Sequence, residues 1–387
     1  MAKTAPPSAD PDVLVLGSHP CAAFAATLLR QNSTCRVIRA DVPGDASDDR
    51  LIVINPELFE LHATLAPLKK KLEFQPIHGL KFLADEPPTA SEFVNKAPAA
   101  YVTGLKPLRQ AMHKLADDHD VTQASCDALE IHRIDDAGVH VTLDGKPMVA
   151  RLLIVAAPAE SLSPASRRTI GLPDAWEPGV LHRYSYVKCK GARGMSFGSE
   201  SAKPQMPMSL DLMGKLMWAW VLPGPGCVQF AVEQPLDQGA AIPADELLRH
   251  WLDVLVKHGL LKSKDVPSLD TMVSVDLPFA GALAQEDVAN RTLLIGPAGG
   301  FYTACAEDVY PACWSAVFAA DAVKRALKEK HPQDALQVFR HKWGATLGDY
   351  LRGPQQNLRF LLPLVYRNKT MTARLSEAIL FGKSVVR

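Results

Sequence analysis

The stretch Asp12-Val-Leu-Val-Leu-Gly17-Ser-His-Pro-Cys-Ala22 decides how the rest of the chain is read. Four unbroken apolar residues, Val13 to Leu16, suit a short strand buried on both faces, as in parallel sheets. Gly17 ends it in a turn, and the Ala- and Leu-rich run from Ala22 to Arg30 is helix-forming. Cys35 to Ala40 is a second apolar segment. Strand, glycine turn, helix and strand in this order open a dinucleotide-binding βαβ unit.

Two more buried-strand candidates lie far downstream, Ala150-Arg-Leu-Leu-Ile-Val-Ala156 and Thr292-Leu-Leu-Ile-Gly296. The second runs into a glycine turn and an Ala-rich helix, roughly Asp308 to Lys328. Strands so widely separated predict one sheet assembled from distant segments. Helices are expected over 57–72, 105–119 and 245–258. Alternating segments at 128–134 and 139–143 are joined through Asp135-Asp-Ala-Gly138, and Asp144-Gly145 signals a further hairpin. The region 171–276 has a different character, with strand-like pieces and the aromatic stretch Met217-Trp-Ala-Trp-Val-Leu-Pro223.

Composition narrows the function. Over 387 residues, 42 Lys+Arg balance 42 Asp+Glu and 47% of residues are hydrophobic, which excludes a disordered chain and broad electrostatic capture of nucleic acid. Seven cysteines without a CxxC pair read as reduced small hydrophobes. Twelve histidines show no ligand spacing, so no metal is expected. No GxSxG elbow occurs, and Ser161 and Ser166 read as loop serines. Residues 1–11 read as a solvated tail, and no uncharged apolar run reaches membrane-spanning length, so a cytoplasmic protein is the default. The zero charge is a sum of unequal parts: residues 340–387 hold 9 Lys/Arg against 2 Asp/Glu. That end contains Leu358-Arg-Phe-Leu-Leu-Pro-Leu-Val-Tyr-Arg367. The plain reading is a solvated basic face on helices packed against an acidic body; the sharper one is a peripheral contact with an anionic membrane.

Three segments, in order and spacing, resemble the flavoprotein superfamily of para-hydroxybenzoate hydroxylase-like monooxygenases, geranylgeranyl reductases and flavin-dependent halogenases. Gly17-Ser-His-Pro-Cys-Ala22 sits where GxGxxG belongs. Leu152-Leu-Ile-Val-Ala-Ala-Pro-Ala-Glu-Ser161, with Arg167-Arg-Thr-Ile-Gly-Leu172, is similar to a strand ending in ADGxxS followed by RRxLGL. Leu294-Ile-Gly-Pro-Ala-Gly-Gly-Phe301 resembles LIGDAAGF, and Ala306-Glu-Asp-Val309 the GEGI after it. Trp218-Ala-Trp220-Val-Leu-Pro223 is similar to the YxWxFP and WxWxIP elements of reductases and halogenases.

The resemblance implies an α/β fold: a Rossmann-like FAD/NAD(P)-binding domain over 12–55, 99–168 and 285–330, and an inserted mixed β-sheet substrate domain over 56–98 and 169–284. A basic helical segment, 331–387, follows. It also implies FAD held by Gly17, Ser18 and Pro20, by Asp41 near the ribose, and by Gly296, Pro297, Ala298, Gly299 and Gly300. Trp218 and Trp220, on one side of a strand, would wall an apolar substrate cavity. The function implied is an FAD-dependent oxidoreductase on an isoprenoid or aromatic substrate. Reductase and monooxygenase versions both stand, the former with NAD(P)H as reductant. No catalytic residue is assigned; His78, His182 and Tyr184 are the available proton donors, and Cys305 and Cys313 flank the third turn.

Every motif departs from its pattern at a chemically important place. His19, Cys21 and Ala22 stand where glycines let a backbone approach a pyrophosphate. The ribose-binding acid should fall at Ala40, with Asp41 one position late. Ala157 replaces the aspartate of ADG, and Pro297 replaces the ribityl-binding aspartate, so that restoring it with Pro297→Asp should tighten FAD. Ile77 and His78 occupy the place of the halogenase lysine, with Lys81 on the wrong side, and Phe230-Ala-Val-Glu233 lacks the reductase glycines. Each lost carboxylate contact would weaken FAD about tenfold or more. In favour of a cofactor, the Gly299-Gly300 turn before a helix offers backbone donors and a positive helix end. The second function reading is therefore a flavin-free relative that binds a hydrophobic ligand or a protein partner.

Overall fold

The computed structural model describes residues 10–31, 33–42, 49–124, 126–158, 161–172, 181–190, 203–236, 242–278, 287–352 and 358–382. All but residues 10 and 11 of the expected tail lie outside these.

The four-residue apolar runs assemble as their patterning dictates. Val13–Leu16 is flanked in parallel by Val37–Ala40 on one side and Leu152–Val155 on the other, and all three are buried. Thr122–Ala124 lies beyond Val37–Ala40, Thr292–Leu294 beyond Leu152–Val155, and the antiparallel Val288–Ala289 closes the latter edge. The strand order reverses around Val13–Leu16. That places the crevice at its carboxyl end, where Gly17 begins the turn, at the topological switch point of the sheet.

Helix Pro20–Arg30 follows the turn, and its residues 20–29 are all buried. Such a helix can be this alanine-rich because it is covered from several sides, by the sheet and by helices Val309–Ala326 and Leu105–Asp117. The opposite face of the sheet is covered by the meander Leu129–Ile134, Val139–Leu143 and Lys146–Ala150 and by helix Pro164–Ile170. Gly17, at φ +124°, shows why a side chain is excluded there: an added Cβ would lie 2.6 Å from the Ala157 nitrogen.

A seven-stranded mixed sheet forms the second layer, in the order Val273–Pro278, Leu181–Lys190, Cys227–Pro235, Lys215–Gly224, Gln205–Leu212, Gly79–Leu83 and Ala90–Val94. Only the pairing of residues 205–208 with 79–82 is parallel. Alternation along Lys215–Gly224 sends Met217, Ala219 and Val221 toward helix Ala244–Lys257. Trp218, Trp220 and Leu222 face the other way, toward the small sheet of Leu51–Ile54, Ala100–Gly104 and Gln75–Ile77 and toward the C-terminal helices. Helix Lys369–Phe381 covers the outer strand Ala90–Val94, with Thr372 and Ser91 hydroxyls 2.6 Å apart.

The fold is thus α/β, a Rossmann-like sheet joined to a mixed sheet, as the sequence predicts. The helix expected over 57–72 differs: it is a 3-10 turn, Pro56–Phe59, and a single α-turn, Leu68–Lys71. Pro67 disfavours helical backbone at the residue before it, which separates the two. No helix among the described residues is long and apolar enough to cross a membrane.

Candidate functional site

The crevice at the switch point is filled by this chain's own charged side chains. Asp308, fully buried, places Oδ2 2.5 Å from Arg50 Nη2 and 3.3 Å from His19 Nε2. Burial alone would raise the Asp308 pKa, but Arg50 and then His19 outweigh it and hold the carboxyl below its usual range. Burial likewise works against the Arg50 charge, and Asp308 overcomes it, so the guanidinium pKa is raised. A carboxylate and a guanidinium removed from water keep their charges only through such pairing.

His19 has a second role. Its Nδ1 accepts the Cys21 backbone N–H at 3.3 Å, so it caps helix Pro20–Arg30, and with Nδ1 accepting, the ring proton belongs on Nε2, facing Asp308. At helix Val309–Ala326 the N-cap Asp308 side chain makes no capping bond, but Glu307, one residue earlier, accepts the Tyr310 N–H through Oε1 at 3.0 Å. Helix amino ends attract anions because their first N–H groups have no intrahelical acceptor. At both ends here, an acceptor from the chain already occupies one of those donors.

The third turn is similarly committed. Gly296 N–H donates to Ser315 Oγ at 3.0 Å, and Gly300 N–H donates to the Pro297 carbonyl at 3.1 Å. The donors that the sequence leaves open at Gly299-Gly300 are therefore reduced by the turn's own hydrogen bonds. Cys21 packs against this turn so closely that a Cβ on Gly296 would lie 2.5 Å from its Sγ.

Arg39 lies one residue before Ala40, the position at which the resemblance expects the ribose acid. It is 1% exposed, is joined through Nη1 to Asp41, and lies 3.1 Å from His113 Nε2. That imidazole nitrogen is also 3.2 Å from the Ser18 carbonyl. Burial, then the Arg39 charge, lowers the His113 pKa to about 4, so its ring is neutral at pH 7. Asp41 is engaged by Arg39 and, at 3.1 Å, by Gln123 Nε2.

The residues proposed to hold a cofactor do come together. Gly17, Ser18 and Pro20 of the first turn and Gly296, Pro297, Ala298, Gly299 and Gly300 of the third are all buried by protein atoms, and a Cβ on Gly296 would lie 3.6 Å from His19 Nδ1 of the first turn. As they stand, these residues do not fit a dinucleotide in the pose the resemblance implies. A pyrophosphate at the first turn would meet His19 and the Asp308 carboxylate, a like charge. Pro297→Asp alone would not relieve either contact.

The aromatic wall is closed as well. Trp218 and Trp220 share a face, and both are buried. The Trp220 indole stacks on Tyr184 at 5.5 Å and 13°, and Tyr184 stacks on Tyr186 at 5.4 Å. Gln229 fastens the stack, donating to Tyr184 Oη at 2.6 Å and to the Leu51 carbonyl at 3.2 Å. His182 pairs with Glu233 at 2.7 Å. Burial raises the Cys305 and Cys313 thiols well above their ordinary pKa, which keeps them protonated and unreactive. Arg50 is the site residue with no signal in the sequence; its partner Asp308 is 258 positions away.

No protein-family profile and no curated protein matches this sequence. Solved structures do. A flavin-dependent brominase, Bmp2, superposes with a TM-score of 0.72 at 14% identity, covering 96% of this chain and 93% of its own. A geranylgeranyl bacteriochlorophyll reductase-like protein from Thermoplasma acidophilum gives 0.65 at 15%, covering 96% and 90%. PqsL of Pseudomonas aeruginosa, a probable FAD-dependent monooxygenase, gives 0.63 at 16%, covering 96% and 97%. The chain therefore has, over nearly its whole length, the fold that these three proteins share.

The adjacent carboxyls Glu307 and Asp308 are driven in opposite directions, which yields a pH test. Burial, with a smaller contribution from Asp308, raises Glu307 to about 8 against the hydrogen bonds from Tyr310 N–H, Tyr350 and Thr303. The folded state thus keeps a proton that the unfolded chain releases near pH 4.5, so this contribution to stability is full below about pH 4.5 and is lost as pH rises through about 8. Glu307→Gln, which mimics the protonated carboxyl, should flatten the fall in denaturant-measured stability between pH 5 and pH 8. An unchanged pH profile would contradict the assignment.

Proposed function

We propose that this chain is a flavin-free protein on a flavoprotein fold, acting by binding at its surface and not by moving electrons through a resident FAD. The observation that carries this reading is the capping of both phosphate-facing helix ends by the chain's own side chains, His19 and Glu307. The buried Arg50–Asp308 pair between them supports it. Admitting a dinucleotide would mean breaking that pair, which costs about 3–5 kcal/mol, or roughly a few hundred-fold or more in affinity. The stack of Trp220 on Tyr184 argues in the same direction against an isoprenoid or aromatic substrate in the old cavity. The FAD-dependent reductase or monooxygenase implied by sequence requires both obstacles to be removed.

What remains available is the exterior, and its carboxyl end has the strongest sign. Residues 340–387 hold 9 Lys/Arg against 2 Asp/Glu. At the end of helix Leu358–Val365, Leu364 is 47% exposed beside exposed Pro363, Arg367 and Lys369, with Arg374 one helix further on. We extend the proposal to a peripheral contact of this segment with an anionic membrane. A single leucine anchors weakly, so most of the attraction would be electrostatic, about 1 kcal/mol per cation near the surface.

Two measurements test these statements separately. Purified protein should be colourless and should show no saturable quenching of added FAD fluorescence; a stoichiometric flavin spectrum would overturn the flavin-free reading. In vesicle co-sedimentation, the protein should associate with phosphatidylserine-containing vesicles and not with phosphatidylcholine alone. Arg367→Glu with Lys369→Glu should weaken that association about tenfold or more. Equal sedimentation with both vesicle types, or no effect of the substitutions, would remove the membrane contact and leave the flavin-free reading untouched.

A further inference from the structure

The fold's ligand crevice is at the carboxyl ends of the parallel strands, and it is filled. A cavity of about 860 Å³ opens at the amino ends of the same strands, bordered by Asp12, Thr34, His62, Arg151, Lys324 and Lys328. Its volume is within the range of small-molecule sites. We propose that this basin binds a small, soluble, phosphate-bearing anion, with Lys324 and Lys328 as its charge partners and the imidazole N–H of His62 as a hydrogen-bond donor.

The charges of the basin can be accounted for one at a time. Its carboxylate, Asp12, is already engaged: it accepts the Arg36 N–H at 2.9 Å and has Arg36 Nε and Arg151 Nη1 each at 3.7 Å. Helices Pro20–Arg30 and Val309–Ala326 end here, and their carbonyl ends carry partial negative charge that a cation would offset. Arg30 Nη1 donates to the Cys35 carbonyl beside the first end, and Arg151 Nη2 donates to the Leu327 carbonyl at the second. Lys324 and Lys328 are left over. Among the described residues neither ammonium has a carboxylate within ion-pair distance; the neighbouring Asp321 pairs with Arg325 and Lys342 instead.

Position supports the same role: Lys324, Lys328, His62 and Cys35 all border the one basin. Lys324 is in the last turn of helix Val309–Ala326, and Lys328 is in the turn that follows its end. Lysine binds phosphate as a point charge, without the planar fork that matches a carboxylate.

His62 is set up as a donor. Thr64 N–H donates to its Nδ1 at 3.3 Å, and Phe24 holds the ring edge-on at 5.9 Å. Burial, and then Lys324, lower its pKa below the usual value, so the ring is neutral at pH 7 and carries its proton on Nε2. Cys35 is not a nucleophile here, since burial pushes its thiol up to about 11. The arrangement is suited to holding an anion and supplies no group for covalent chemistry.

Titration calorimetry on the full chain, with pyrophosphate and adenosine monophosphate as probes, tests the assignment. Lys324 is half-buried and Lys328 exposed, so Lys324→Ala with Lys328→Ala should fold normally, which circular dichroism checks. The expected result is saturable binding by the wild type, about tenfold or more weaker in the double variant and unchanged in the control Lys146→Ala, whose side chain is exposed on the distant meander. His62→Gln, which keeps a donor, should lose less than His62→Ala. No saturable binding by the wild type, an equal loss in Lys146→Ala, or citrate binding as tightly as pyrophosphate would each overturn it.

Discussion

One buried carboxylate, Asp308, determines how the centre of this molecule is organised. It brings together Arg50, just before the strand Leu51–Ile54, and His19, at the start of helix Pro20–Arg30. Asp308 itself precedes helix Val309–Ala326. Three segments distant in sequence are thereby joined at the switch point of the sheet. Removing one member would leave a buried charge without its partner, a loss of about 3–5 kcal/mol, comparable to a large part of a domain's stability.

The rest of the crevice is consistent with that pair. Where the resembled motif has a glycine this chain has His19, whose imidazole accepts the Cys21 N–H at the start of helix Pro20–Arg30. Asp308 places a buried negative charge beside it, 3.3 Å from the ring. Arg39 and His113 occupy the adjoining space, and the stack of Trp220, Tyr184 and Tyr186 closes the sheet side. Several of the departures from the flavin motifs coincide with contacts between residues of this chain: His19 with Cys21 and Asp308, and Arg39 with Asp41 and His113.

Much of this fold could be read from the sequence, because Val13–Leu16, Leu152–Val155 and Thr292–Leu294 are short, continuous and apolar, and each is followed by a recognisable turn. The alternation that puts Trp218 and Trp220 on one face was legible for the same reason: a strand's period is fixed. The places where glycines were missing were legible too. What replaced them was not. Nothing local links Arg50 to Asp308 across 258 positions, or Arg39 to His113 across 74. Nor does the sequence show that the Trp220 indole stacks on Tyr184 instead of lining an open cavity. The helix expected over 57–72 failed for a local reason, Pro67, that the sequence did contain.

The central claim is that the chain itself supplies an acceptor to one N–H at each helix end of the crevice. Amide hydrogen exchange of Cys21 and Tyr310, the two N–H groups capped by His19 and Glu307, tests it most directly. The account predicts strong protection of both amides in the protein alone and no change when excess FAD is added. Rapid exchange that slows on adding FAD would contradict it, since the caps would then be supplied by the dinucleotide and not by His19 and Glu307.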